Sequence, residues 1–152
     1  MKSLVKNLNR KQIAWGALII FIVMQVFRID KTNPPIAENK DFVNIVNPTD
    51  EIATILKNAC YDCHSNHSTY PWYTNIAPVS WWVKGHIKNG RRQVNFSEWG
   101  DYDEERRSHA LRECIEVMAD RRMPLKSYTW AHSEARLSDA QKQRLQDWFE
   151  SL

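Results

Sequence analysis

The sequence predicts a mainly α-helical protein whose folded part stands behind an N-terminal signal-anchor helix. Apolar residues recur at helical spacing in several separate stretches, most of them opened by a side chain suited to capping a helix. No stretch alternates apolar and polar residues in the manner of a half-buried strand. The chain also begins with a basic tail followed by an apolar run, the two leading parts of an export signal.

That tail carries Lys2, Lys6, Arg10 and Lys11, and the apolar run extends from Ile13 to Phe27, interrupted only by Gln25. The run is short for a bilayer span, which takes about 20 residues. No small-x-small cleavage site follows it, since the exit reads Val26-Phe27-Arg28-Ile29-Asp30. The expectation is an uncleaved transmembrane anchor over residues 13–28, with residues 1–12 in the cytoplasm by the positive-inside rule. Cleavage after export is the alternative, and it leaves the remainder on the same side of the membrane.

The net charge of +3 belongs to this address and not to the folded part. Residues 1–28 hold five basic residues and no acid, which leaves 16 basic against 18 acidic residues beyond them, a balance of about −2. A nucleic-acid surface would need a basic stripe on the folded domain, so none is expected.

Residues 29–46, with Asn33-Pro34-Pro35, read as a linker, and residues 47–152 as one domain. Asn47-Pro48 suits a helix start, with Asp50 and Glu51 in the first turn and Ile52, Ile55, Leu56 and Ala59 forming one apolar face up to Cys60. His67 to Pro78 reads as an irregular wrap. Ser80 can cap a helix from Trp81 to about Lys88, stopped by Asn89-Gly90. Ser97-Glu98-Trp99 is a turn or short helix. The longest helix runs from Glu104 to about Arg121, with Ala110, Leu111, Cys114, Ile115 and Met118 inward. Met123-Pro124 ends helical structure, because the residue before proline is pushed toward extended backbone. A loop over Leu125 to Arg136 leads to Ser138, whose Ser-x-x-Gln spacing opens a closing helix with Leu145, Trp148 and Phe149 apolar.

At the end of the first apolar face stands Cys60-Tyr61-Asp62-Cys63-His64, a C-x-x-C-H arrangement. Two thiols at this spacing can add across the two vinyl groups of one porphyrin, leaving two thioether bonds. The imidazole directly after the second thiol then becomes the proximal iron ligand. A redox disulfide normally occupies a strand-to-helix junction, which this chain lacks. A zinc site from Cys60, Cys63, His67 and Cys114 would lack a second matched ligand pair. Haem c is therefore the preferred cofactor. Cys114, on the inward face of its helix, reads as a small core hydrophobe.

The sixth iron position decides between carrying electrons and binding a small molecule. Met123 is the candidate distal ligand, since it follows a helix, precedes a proline and stands ahead of a final helix, the order of small monohaem cytochromes c. Its soft thioether would raise the reduction potential. His86 is the main rival, and His67, His109 and His132 are read as surface or loop residues. Trp72, Tyr73, Trp81, Trp82, Tyr128 and Trp130 are candidate pocket residues, and Arg91, Arg92, Arg121 and Arg122 candidate propionate partners.

Longer strings say more than the motif. Cys60 to Asn66, Tyr70-Pro71-Trp72-Tyr73, Pro78-Val79-Ser80-Trp81-Trp82, Asn95-Phe96-Ser97-Glu98-Trp99, Met123-Pro124 with Ser127-Tyr128, His132, and Leu137-Ser138-Asp139 together resemble the bacterial haem-binding-domain family. The likeness spans about Asn33 to Leu152. Leu125 departs from it, standing where such segments often have a second proline. The resemblance implies a small exported or membrane-anchored protein with a cytochrome c-like helical fold. It also implies covalent haem on Cys60 and Cys63, with His64 proximal and Met123 distal. The expected function is electron transfer at the bacterial inner membrane, the haem domain facing the periplasm and redox proteins in or near the membrane as partners. No general base, nucleophile or phosphate loop is evident, so an enzyme is not expected. The alternative is a haem-based sensor or peroxidase-like protein with an open sixth position.

Overall fold

A computed structural model describes residues 9–152; Lys2 and Lys6 of the predicted cytoplasmic tail lie outside them. Among the described residues there are eight α-helices, four short 3₁₀ turns and no strand, as the helical periodicity requires. The helices are α1 (Arg10–Met24), α2 (Phe42–Val46), α3 (Asp50–Ala59), α4 (Tyr61–His64), α5 (Val79–Gln93), α6 (Glu104–Ala119), α7 (Lys126–Ala131) and α8 (Asp139–Glu150). The chain forms two compact units, one made of the segment up to Lys31 with Tyr70–Gly85, the other of Thr32–Thr69 with His86–Leu152.

In the first unit, Asn9 caps α1 through a reciprocal box with Gln12, each backbone amide reaching the other's side chain at 2.9 Å. Beyond Gln12 the helix is apolar on every side, and it buries none of its residues. Its 15 residues rise about 22 Å, short of the roughly 30 Å hydrocarbon layer. Among the described residues no helix is long and apolar enough to cross a membrane. The expected span over residues 13–28 therefore begins earlier and stops sooner as a helix, at Met24.

The second unit is built around Phe42, which is fully buried. Its ring stacks on Phe96 at 5.0 Å and meets Trp99 edge-on at 4.6 Å and Trp148 at 5.7 Å, with Phe149 at 6.3 Å. Such geometries add to the large area each aromatic buries. The stretch to Val46 predicted as a linker thus carries the centre of the core. Asp41 starts α2 by accepting the Val43 amide at 3.1 Å, and Asn47 ends it in the left-handed region at φ 50°. Asn47 consequently closes one helix instead of opening the next, and Thr49 caps α3, whose Ile52, Ile55, Leu56 and Ala59 are buried as expected.

Asn89-Gly90 does not stop α5, which starts at Val79 and continues to Gln93. A glycine inside a helix costs only about 1 kcal/mol, and here it serves a close approach described below. Farther on, α6 and α8 keep their predicted faces. Ala110, Leu145 and Phe149 are buried, with Leu111, Cys114, Ile115, Met118 and Trp148 packed against them. The capping box of Ser138 and Gln141 is present. The segment predicted as a loop before it holds α7 and a 3₁₀ turn, Ser133–Ala135, with Ala135 fully buried.

Candidate functional site

Cys60 ends α3, its amide still bonded to the Leu56 carbonyl at 2.9 Å while its backbone leaves helical geometry at φ −124°. One tight turn follows, α4, in which the Cys63 and His64 amides both reach back to the Cys60 carbonyl at 3.2 and 2.9 Å. This turn lays the two thiols and the imidazole along the edge of an apolar opening.

Two neighbouring cavities meet there. The larger, of ≈ 290 Å³, is lined by Cys60, His64, Met118, Met123, Leu145 and Phe149 among others. The smaller, of ≈ 170 Å³, is lined by Cys63, His64, His86, Gly90, Met123 and Tyr128. His64 and Met123 border both, and each cavity takes one of the motif cysteines. Sequence-predicted Cys60, Cys63, His64 and Met123 are thus brought together, with the rival His86 beside the smaller cavity. His109 is exposed on α6. His67 lies 3.7 Å from Asp41, and His132 stacks on Tyr128 at 4.2 Å. No tryptophan lines either cavity.

His64 Nδ1 lies 3.2 Å from the Val94 carbonyl oxygen. A carbonyl only accepts, so Nδ1 carries the proton and Nε2 keeps the lone pair. Burial lowers the imidazole pKa, opposed in part by the carbonyls of Val94 and Gly90, and so favours the neutral ring that a metal requires. Burial also pushes the Cys60 thiol up to about 12, helped by Cys114 and Cys63. Cys63 is pushed up to about 11 by burial and by Asp62, with Arg91 opposing. None of the three cysteines is in a disulfide.

A hydrogen-bonded shell braces the turn from behind. Tyr61 donates to Asp41 at 2.8 Å, a carboxylate that is only 3% exposed. Asp62 accepts the Thr69 amide at 2.9 Å and the Tyr128 hydroxyl at 2.8 Å, so the first helix after Met123 is tied to the motif itself. Burial and these carboxylates both raise the two phenols' pKa values, keeping them as donors. Arg91 donates to the Ser65 carbonyl at 2.7 Å and to Asn33 and Ser68 at 2.9 Å. It braces the motif and lines neither cavity. Arg122 does border the larger cavity, and it pairs with Glu116 and Asp120 at 3.1 Å.

Gly90 completes the arrangement. A Cβ there would fall 2.6 Å from the Cys63 carbonyl oxygen and 3.1 Å from its carbon, so α5 lies against the motif backbone only because this residue has no side chain. Sequence reading missed Gly90 as a contact residue, and it missed Val94, which acts through its carbonyl alone. Tyr128 it placed among pocket residues without its partner, Asp62.

The donor set is suited to haem iron: a neutral imidazole and a thioether on shared apolar walls, with two thiols at the edge. The zinc arrangement is not assembled. Among the described residues no group of three or more histidine, cysteine or acidic side chains is disposed to hold a metal ion. In comparison with known proteins, a family model described as the haem-binding domain matches residues 19–151. No curated protein and no solved structure matches the chain. With nearly its whole length matched, the chain belongs to the haem-binding domain family.

Proposed function

We propose that the protein is a membrane-anchored c-type cytochrome of the bacterial inner membrane. Its haem domain faces the periplasm and passes single electrons between redox proteins in or near the membrane. The observation that carries this reading is the shared wall: His64 and Met123 border the same two cavities, and each cavity takes one motif cysteine. Cys60 and Cys63 would hold haem through thioethers, and the His64 Nε2 and the Met123 sulfur would be the ligands offered to its iron. Bound there, haem supplies one electron, exchanged as iron alternates between ferrous and ferric.

The chain's own residues set the terms of that exchange. The Val94 carbonyl fixes the His64 tautomer and strengthens its lone pair. The apolar walls and the Met123 thioether would both favour ferrous over the more highly charged ferric iron and so raise the potential. With His64 and Met123 both offered to the iron, the protein would act as a carrier rather than as an enzyme. Residues 13–28 anchor it, with the basic tail on the cytoplasmic side.

Co-expression with the haem-attachment machinery tests the reading. Pigment should stay on the polypeptide through acidified acetone and give a c-type pyridine haemochrome spectrum. Extractable pigment from the double variant Cys60→Ser/Cys63→Ser, with retained pigment in the parent, is the expected contrast. Met123→Ala should convert a low-spin spectrum to high-spin; an unchanged spectrum would move the distal role to His86, which borders the smaller cavity. A high-spin spectrum in the parent protein would favour the sensor or peroxidase-like reading.

A further inference from the structure

The first compact unit contains an aromatic segment fastened to the end of α1. Gln25, the only polar residue in the apolar run, holds residue 77 by both halves of its amide. Nε2 donates to the Ala77 carbonyl at 3.1 Å, and the Ala77 amide donates to Oε1 at 2.9 Å. Two residues on, the Phe27 carbonyl accepts the Trp81 indole N–H at 2.8 Å. Lys31 then donates to Asn75 Oδ1 at 2.6 Å. Three successive exits of α1 are therefore bonded to the span from Asn75 to Trp81, and Gln25 has a structural use that reconciles it with its apolar surroundings.

What this clamp displays is an apolar surface that the unit itself leaves uncovered. Trp72 is 74% exposed, Trp82 50% and Trp81 39%, with Ile76 and Val79 also exposed. Indoles combine a broad apolar ring with one donor, the chemistry of side chains that settle at the headgroup level of a bilayer. Cations belong to the same unit. Arg28 and Lys31 border a polar cavity of ≈ 220 Å³, together with Gln25, Thr74, Asn75 and Ser80. Lys31 and Lys84 both lie over the Tyr70 ring, at 5.9 and 5.8 Å. Exposed aromatic rings together with cations match the apolar and phosphate layers that a phospholipid surface presents.

We infer that Tyr70–Gly85, clamped to the end of α1, is a second membrane contact: a collar whose tryptophans lie in the phospholipid headgroup layer with Arg28 and Lys31 beside lipid phosphates. This rests on the reading of α1 as membrane-embedded and extends it. A helix of about 22 Å falls short of the hydrocarbon thickness, and an interfacial collar makes the short helix workable by holding its exit at the lipid surface.

Hydroxyl-radical labelling of the full-length protein, placed one chain per nanodisc of phosphatidylethanolamine and phosphatidylglycerol and read residue by residue, tests it. Trp130, 83% exposed and in the other unit, is the internal reference, and Trp15 on α1 reports the anchor. Shielding of Trp15 and of Trp72, Trp81 and Trp82, with Trp72 labelled about fivefold more slowly than Trp130, is the expected result. Shielding of Trp15 with Trp72 labelled as fast as Trp130 overturns the collar and leaves the anchor intact. Labelling of Trp15 at the Trp130 rate overturns both.

Discussion

A methyl group on Gly90 would strike the Cys63 carbonyl oxygen at 2.6 Å, whereas one on Gly85, in the same helix, would meet nothing within 4 Å. The two positions therefore make opposite predictions. Gly90→Ala should destabilise by about 1–3 kcal/mol through forced displacement of backbone, read as a lower midpoint of thermal unfolding and poorer haem loading. Gly85→Ala should stabilise by about 0.5–1 kcal/mol, because alanine gives up less chain freedom in a helix. Neither effect was legible in sequence, where Asn89-Gly90 carries the signature of a helix stop; only the neighbouring backbone distinguishes a stop from a contact. Tyr61→Phe makes a third test. Removing the hydroxyl at 2.8 Å leaves a buried Asp41 with one donor fewer, which should cost about 1–3 kcal/mol in denaturant unfolding. Cys60, Cys63 and His64, by contrast, stand out in sequence by residue type and adjacency, and the fold sets them along the two cavities.

At the scale of elements, the route from α6 to Met123 is a glycine-type helix end built with an arginine. Arg121 sits in the left-handed region at φ 56°, its amide bonded to the Met118 carbonyl at 2.9 Å, and the next amide, of Arg122, reaches back to Val117 at 2.9 Å. This six-to-one and five-to-two pairing turns the chain toward Met123, whose amide also bonds to Val117 at 3.2 Å. Arg121→Gly should relieve the left-handed strain and raise unfolding stability by about 0.5–1 kcal/mol. Just beyond, α7 returns to the motif through Tyr128 and Asp62. Tyr128→Phe should cost about 1 kcal/mol and raise the high-spin fraction on warming, because Met123 would then be held by fewer bonds. Elements that declare themselves locally were legible: the Ser138 box, the α6 face, the α3 face. The true cap of α3 was not, because Asn47 and Thr49 can both cap a helix and the choice falls to α2, which ends on Asn47.

Across the whole molecule, the larger cavity is walled by apolar side chains of α3, α6 and α8, which a haem seated there would bury. Protein made without haem should therefore unfold at a lower temperature and exchange the α6 and α8 amides faster, with both restored on haem attachment. The mainly helical fold was legible because each helix carries its own periodicity. The role of the lead-in was not, because Phe42 is buried by partners more than 50 residues away in sequence, Phe96 and Trp148 among them. That last feature has a practical bearing on where the body can be cut free. A protease or a gene trimmed to start at Pro48 would discard the central ring of the interior and the carboxylate that Tyr61 holds. Severing the chain just after Lys31 would spare both, together with the Asn33 contacts to Ser68 and Arg91. Scissile sites that leave a durable folded body should accordingly cluster ahead of Thr32, and none between Asp41 and Asn47.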